Sequence, residues 1–388
     1  MNSYSDDQKS DQRVAVVRCD SYADAQDALS IGVALLGGLD QFCKSDQHIL
    51  LKPNLLLGDK PEKGTATHPE FLKAVGKLLQ ASGVKLSFGD SPAVGSPEIS
   101  VKTSGLGEVA EFLGMDLAGF VNLQDVENPD GKLIKQFRLA RGLSGADGII
   151  NLPKIKTHGL MRLTGAVKNL FGCLPGLQKA TFHARLKDEF LFAEMLVDLA
   201  ELVAPRLHIM DGVMGMEGNG PRNGHMRPVG VVMLSTNPHA LDHCVARIMN
   251  LDPTLVPTLQ VARERGLYQP DDIEILGEAL DQFVIEDFDV NRSKASTTGQ
   301  QKFYMNLFRD WVTPKPVIDP QECTMCGRCV SVCPATPKAV RFLNGRQQAP
   351  QYDYKHCIRC YCCQETCPYE AINIKTPLLG QLLEGLKL

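Results

Sequence analysis

The chain carries almost no net charge, since 41 basic against 45 acidic residues leave a formal charge of -4 and a pI near 6.2. A basic footprint for nucleic acid and a polybasic membrane attachment are therefore missing. An export signal is missing too: Met1 to Gln12 is polar, rich in Ser, Asp and Gln, with no apolar stretch and no twin-arginine pair. No run is long enough to span a bilayer. The longest apolar stretch near the front, Ile31 to Leu39, contains glycines and falls far short of the roughly 20 residues required. These absences lead to the expectation of a cytoplasmic protein with no nucleic-acid partner and no transmembrane segment. What is present, 44% hydrophobic and 22% charged residues over 388 positions, suits two or three globular domains.

Nine of the 13 cysteines lie between Cys323 and Cys367. Clustering of this kind in a cytosolic chain indicates metal rather than a disulfide framework. The other four, Cys19, Cys43, Cys173 and Cys244, are scattered and read as small buried hydrophobes. Within the cluster, Cys323-x2-Cys326-x2-Cys329-x3-Cys333-Pro334 recurs 34 residues later as Cys357-x2-Cys360-x2-Cys363-x3-Cys367-Pro368. Three thiolates at this spacing wrap one iron-sulfur cubane, and the fourth cysteine ligates the other cluster of the pair. The expected sets are Cys323, Cys326, Cys329 and Cys367 for the first cluster, and Cys357, Cys360, Cys363 and Cys333 for the second. CxxC pairs also bind zinc, but zinc requires neither the third step nor the Cys-Pro ending. Flanking residues repeat as well, so each half reads as strand, ligand loop, short helix, strand. The ninth cysteine, Cys362, is either a bystander or an alternative thiolate. Eight basic against five acidic residues between Pro314 and Pro377 make this module +3 before its clusters are counted. With about -2 for each oxidised cluster it becomes nearly neutral, and long-range steering toward a charged partner should be weak.

From 13 to 285 the sequence alternates short apolar runs with amphipathic stretches, the pattern of βαβ units on a mostly parallel open sheet. Strands are expected at Val14 to Arg18, His48 to Leu51, Lys85 to Phe88, Gly148 to Leu152, Leu207 to Met210 and Val229 to Leu234. Helices are expected at Ala23 to Leu36, Pro69 to Ala81, Gly165 to Leu170, Phe190 to Val203 and Leu241 to Met249. The fold class is thus α/β, with an α+β two-cluster module at 314 to 377. A polar linker, 286 to 313, carries one amphipathic segment at Phe303 to Trp311, and an apolar tail occupies 378 to 388.

Polar residues gather where the expected strands end: Lys52 and Asn54, Asp90, Lys154, Lys156 and His158, and Asp211. In an open α/β sheet these ends border the ligand crevice. Lys154, Lys156, His158 and Lys168 concentrate charge around one turn and one helix and could hold an anion. The competing reading sends Lys154 and Lys156 into solvent from an extended edge. Glu217 lies in a glycine-rich stretch, Gly212 to Arg222, that lacks the dinucleotide fingerprint and reads as either a ligand loop or a long turn. His68, just before Pro69, is a proton donor, a metal ligand or a helix-start hydrogen-bonder. Asp242 is expected to favour the positive end of its own helix.

The motifs KPNLL (52 to 56), THPE (67 to 70), GDSP (89 to 92), NLPKIKTHGLMRLTGAVKNLFG (151 to 172) and MDGVMGMEGNGP (210 to 221) together resemble the family known as domain of unknown function 362. The region from about 314 to 377 is similar to the bacterial-type two-cluster ferredoxin, with all eight ligand positions present. The first resemblance implies architecture and redox association and brings no assigned reaction. Together these readings lead to an iron-sulfur oxidoreductase passing low-potential electrons through two [4Fe-4S] clusters to a substrate or cofactor in the α/β domain, where an additional unidentified ligand is expected. The alternative is a non-enzymatic electron carrier or adaptor. A third reading makes the clusters purely structural. The partner in either redox reading is a protein or a small-molecule acceptor.

Overall fold

The computed structural model describes residues 11–176, 178–293, 314–343 and 345–378. The amphipathic segment Phe303 to Trp311 and the tail beyond Leu378 lie outside the described residues.

The chain opens with β1 (Arg13–Arg18), α1 (Ala25–Leu35), β2 (His48–Pro53), α2 (Pro69–Gln80) and β3 (Lys85–Phe88), then α3 (Pro97–Thr103), α4 (Leu106–Leu113) and β4 (Asp116–Leu117). A hairpin of β5 (Leu123–Glu127) and β6 (Gln136–Ala140) leads into β7 (Gly148–Leu152), β8 (Lys154–His158) and β9 (Arg162–Leu163). Three helices follow, α5 (Gly165–Asn169), α6 (Gln178–Arg185) and α7 (Glu189–Val203), before the long hairpin of β10 (Leu207–Glu217) and β11 (His225–Ser235). The larger domain closes with α8 (Pro238–Ile248), α9 (Pro257–Glu264) and β12 (Glu274–Gly277).

Apart from β5 and β6, which form a sheet of their own, these strands make one mixed, mostly parallel sheet in the order β12-β1-β11-β10-β7-β2-β3-β4, with β8 beside β10 and β9 beside β8. β11 is antiparallel to both of its neighbours. Side chains alternate across the sheet as a strand requires. Ala15 and Val17 enter the core under α1 and α2, whereas Val14 and Val16 enter the core under α8 and α9. A third apolar cluster packs α7 against the hairpin of β5 and β6.

Every strand and helix expected from the sequence is present, and β10 runs on past Met210 to Glu217. Residues 212 to 217, expected as a loop, are therefore strand, carrying an irregularity between Gly212 and Met214. The short helices α3, α4, α6 and α9 and the strands β4, β5, β6, β8, β9 and β12 had no counterpart in the sequence reading. For α3 the signal exists: the Ser96 hydroxyl accepts from the Ile99 N–H and Pro97 opens the first turn.

The C-terminal module is built from two interlocked halves. β13 (Lys315–Ile318) and α10 (Arg328–Val332) precede β14 (Val340–Arg341); β15 (Gln351–Tyr352) and α11 (Cys362–Glu365) precede β16 (Ile372–Lys375). β13 pairs with β16 and β14 with β15, both antiparallel, so each half completes the other's sheet. The ligand loops share one backbone path: left-handed residues occur at Met325 and Gly327 in the first and at Arg359 and Tyr361 in the second.

Candidate functional site at the domain interface

The eight motif cysteines line two separate cavities. Cys323, Cys326, Cys329 and Cys367 surround one of about 330 Å³; Cys333, Cys357, Cys360 and Cys363 surround another of about 310 Å³. Each set therefore mixes three cysteines of one motif with the last cysteine of the other, as cubane ligation requires. A single zinc ion needs its ligands to converge on one point. Among the described residues no three Cys, His, Asp or Glu side chains do so. The donor sets fit a pair of cubanes. Cys362 lines neither cavity. Cys326 is exposed, and Tyr352 donates its hydroxyl to Cys363 Sγ at 3.1 Å.

At the strand ends, most of the expected residues form one buried polar network. Lys52 pairs with Asp90 at 2.9 Å and is fully buried. Lys154 pairs with Asp211 at 2.9 Å and bonds the Tyr22 hydroxyl at 3.0 Å. Lys156 donates to Asn54 Oδ1 at 2.7 Å and to the Thr65 carbonyl at 2.6 Å. Neither Lys154 nor Lys156 projects into solvent, because β8 lies beside β10 and beneath the C-terminal module. Burial, followed by the charges of Lys154 and Lys168, pushes the Lys156 pKa down to about 7. Asn54 continues the chain to Asn169 (3.0 Å), which bonds Asn151 (2.7 Å).

His68 caps α2, its Nδ1 accepting from the Glu70 N–H at 3.2 Å while its ring stacks on Tyr22 at 3.7 Å. Burial lowers its pKa. Glu217 lies apart from the network, paired with Arg227 on the hairpin at 3.5 Å. Asp242 does not serve its own helix, which Asn237 caps. It is buried and instead accepts from the Ala166 and Val167 N–H groups at the start of α5, at 2.5 and 3.1 Å. The scattered cysteines Cys19, Cys43, Cys173 and Cys244 are all buried.

The C-terminal module docks directly on this network. His158 Nδ1 accepts from the Leu160 and Met161 N–H groups, both at 3.0 Å, which leaves the proton on Nε2. Nε2 donates to Glu365 in α11 at 2.8 Å. Burial, reinforced by Lys168, lowers the His158 pKa to about 4, so the imidazole is neutral. Burial alone would raise the Glu365 pKa; the His158 hydrogen bond and the Lys168 charge override it and keep the carboxylate ionised. Beside them Lys168 is half-buried, and burial lowers its pKa against the opposing charge of Glu365. The chain must be thin here. A Cβ at Gly159 would sit 2.7 Å from Ile374 and 3.1 Å from Tyr361.

The remainder of the dock is the turn joining β10 to β11, which the sequence suggested only as a ligand loop or long turn. Gln364 donates to the Asn219 carbonyl at 2.8 Å, and Asn219 donates to the Ile372 carbonyl at 3.3 Å. Arg222 grips Asp59 with two bonds of 2.5 and 2.8 Å and donates to the carbonyl of Cys367. The second motif thus supplies the interface, and the first faces outward. Sequence reasoning missed Tyr22, Asn169 and Glu365. Asn169 lay inside a motif already singled out; the others carried no signal of their own.

The family described as Domain of unknown function (DUF362) matches residues 49–247. The chain belongs to that family. Its C-terminal module is a 4Fe-4S dicluster domain, matched over residues 315–368, and its role is iron-sulfur electron transfer. The chain is 39% identical over 257 residues to the thylakoid-associated protein sll1697 of Synechocystis, a match covering 66% of this chain and 79% of that protein. The module is 40% identical over 60 residues to the uncharacterized ferredoxin MJ0722 of Methanocaldococcus jannaschii, covering 15% of this chain and 75% of that one. Two solved structures match at a TM-score of 0.38. The lactate racemase apoprotein of Thermoanaerobacterium thermosaccharolyticum is 12% identical, covering 58% of this chain, and a protein from Thermotoga maritima is 13% identical, covering 59%. This chain spans 54% and 59% of their respective lengths. No helix among the described residues of this DUF362 protein is long and apolar enough to cross a membrane.

Proposed function

We propose that this protein is an iron-sulfur oxidoreductase whose C-terminal module passes single electrons to a substrate or cofactor held at the strand ends of the α/β domain. In this reading Cys323, Cys326, Cys329 and Cys367 hold one cluster, and Cys333, Cys357, Cys360 and Cys363 hold the other. When bound, each [4Fe-4S] cluster supplies a one-electron couple at low potential. The observation that carries the reading is the direct bond between the two domains: Glu365, two residues beyond Cys363, hydrogen-bonds His158 at the end of β8. Electrons would enter on the side of exposed Cys326 and leave on the side of α11. Lys52, Asn54, Asp90, Lys154, Lys156, His158, Lys168 and Asp211 form the wall of the acceptor site. Bonds of Lys52 to Asp90, Lys154 to Asp211 and Lys156 to Asn54 hold this wall rigid, and neutral His158 keeps the adjoining carboxylate of Glu365 fixed.

The compartment we propose is the cytoplasm, with thylakoid association, as in the name of the Synechocystis relative, as the competing reading. The exposure of Cys326 also suits a carrier that exchanges electrons with a partner protein and performs no chemistry itself. Anaerobic purification followed by acid release and mass spectrometry of bound small molecules separates these. A reducible molecule near one per chain supports the oxidoreductase, whereas protein carrying clusters alone, and reducing nothing but other proteins, supports the carrier.

A further inference from the structure

The near-neutrality of the C-terminal module conceals where its charges lie. Residues 314–346, which carry the first cysteine motif, hold five basic residues (315, 328, 338, 341 and 346) against two acidic ones (319 and 322), a balance of +3. Residues 347–377 hold three of each, so the whole surplus belongs to the half that does not supply the dock. The carboxylates of the second half are all engaged: Asp353 by His356 at 3.0 Å, Glu365 by His158 at 2.8 Å, and Glu370 by Lys63 of the α/β domain at 2.7 Å.

Three cations of the first half are held around Cys326, itself exposed. Arg328, two residues further on, is exposed and lines the same cavity. Arg346 is exposed and lies against Gly327, where a Cβ would sit 3.2 Å from Arg346 Nη2 and 3.4 Å from Phe342. Its guanidinium is 5.8 Å from the centre of the Phe342 ring. Lys338 is exposed and donates to the carbonyls of Val330 and Ser331 at 2.5 and 2.9 Å, which fixes it on α10. Among the described residues none of the three is paired with a carboxylate. Of the two carboxylates in this half only Glu322 is exposed. Apolar groups adjoin the cations: Tyr369, which lines the first cavity, is 48% exposed, and Leu343, next to Phe342, is 56% exposed.

Apolar side chains with a charged rim are the anatomy of a protein interface, and electron-transfer contacts lie at its small, weak end. At physiological salt charges are felt over about 8 Å, so a partner meets the local patch and not the sum over the module. We propose that the face around Cys326 docks an electron-donor protein through an acidic patch on that donor, with Arg328, Lys338 and Arg346 as the docking cations. This rests on the reading above that electrons enter on the side of Cys326, and it adds the chemistry of the partner. The linker of this chain is no match for the face, since residues 294–313 hold Lys294, Lys302 and Arg309 against Asp310 alone.

The test uses anaerobic, cluster-loaded full-length protein with an acidic flavodoxin as the probe. Binding of oxidised flavodoxin, read by isothermal titration calorimetry, should saturate near one per chain. It should weaken at least tenfold as salt rises from about 0.01 to about 0.15 M, where the screening length falls from about 30 to about 8 Å. Arg328→Glu combined with Arg346→Glu should weaken it at least tenfold at the lower salt, and Lys338→Glu by a smaller factor. Arg328→Lys combined with Arg346→Lys should preserve it, and Lys85→Glu, on the exposed start of β3, should change nothing. Absence of salt-dependent binding, equal affinity in wild type and the charge-reversed protein, or equal binding of a basic cytochrome c overturns the proposal. Duplex DNA binding as tightly as flavodoxin overturns it too, as does a fall in sedimenting mass on charge reversal, because the face would then join two copies of this chain. Reduction by dithionite, which needs no docking, keeps this inference apart from the reading beneath it. Clusters that dithionite reduces in protein that binds no flavodoxin would sink the docking face alone, and bound flavodoxin beside clusters that accept no electron would sink electron delivery alone.

Discussion

Replacing Arg222 by alanine should release the C-terminal module from its dock. The guanidinium is 7% exposed and makes two bonds to Asp59, itself 14% exposed, with a third to the Cys367 carbonyl. Burial works against a charged Asp59, and the Arg222 bonds override it. Breaking a fully buried ion pair costs about 3–5 kcal/mol. Here Asp59 keeps a bond from Thr65 at 3.1 Å and, once Arg222 is gone, regains some water. Both partners of that pair belong to the α/β domain, so its loss weakens the platform, and the bond to the Cys367 carbonyl is the one that crosses the dock. Losing a charge-assisted hydrogen bond of about 1.5–3 kcal/mol raises the undocked population about 10- to 150-fold. Hydrogen exchange followed by mass spectrometry on anaerobic protein should report it as faster exchange in 218–223 and 362–367, with iron content unchanged. Arg222→Lys keeps the charge without the fork and should fall between. If the alanine variant exchanges like wild type in both segments, the turn between β10 and β11 is not the docking platform.

Three further outcomes are expected. Tyr352→Phe removes the hydroxyl donor to Cys363 Sγ; a hydrogen bond of about 0.5–1.5 kcal/mol to a cluster sulfur corresponds to a negative shift of about 20–60 mV in the second cluster, read by a potentiometric titration. Burial raises the Asp242 pKa to about 7 against the bonds from Ala166 and Val167. Its contribution is complete below the unfolded carboxylate pKa and is lost as pH rises to the folded one, so wild-type stability to urea should fall between about pH 4 and 7 and level off above, while Asp242→Asn shows a flatter profile. Burial, followed by the charges of Lys154 and Lys168, lowers the Lys156 pKa to about 7; the unfolded chain holds that proton to higher pH, so stability to urea should rise as pH goes from about 7 toward 10, and Lys156→Met should remove the rise. The same rise in Lys156→Met as in wild type would mean that burial of Lys156 is not its cause.

The cysteine sets were legible because ligand spacing is local and repeated, and the cavities in the structure group the same eight residues. Strand ends were legible for a similar reason: apolar alternation marks β2, β3, β7 and the start of β10, and polar residues follow at once. β8 was not. Its sequence, Lys-Ile-Lys-Thr-His, looks like an exposed edge, and what buries it comes from far away. The partners of Lys154, Lys156 and His158 stand 57, 102 and 207 residues along the chain. Asp242 misled in the same way, since its position near a helix start suggested its own dipole while folding brings α5 within reach. The role of Asn219 and Arg222 was hidden because the surface that they grip belongs to the other domain.

The central claim is that two cubanes occupy the module and that the second faces the α/β domain. Iron analysis combined with an electron paramagnetic resonance-monitored reductive titration of oxygen-free protein tests it most directly. The account predicts about eight irons per chain and two reducible centres, only the second of which changes its signal when Glu365→Gln alters the bond to His158. Zinc in place of iron, far fewer irons, or a response confined to the first centre would contradict it.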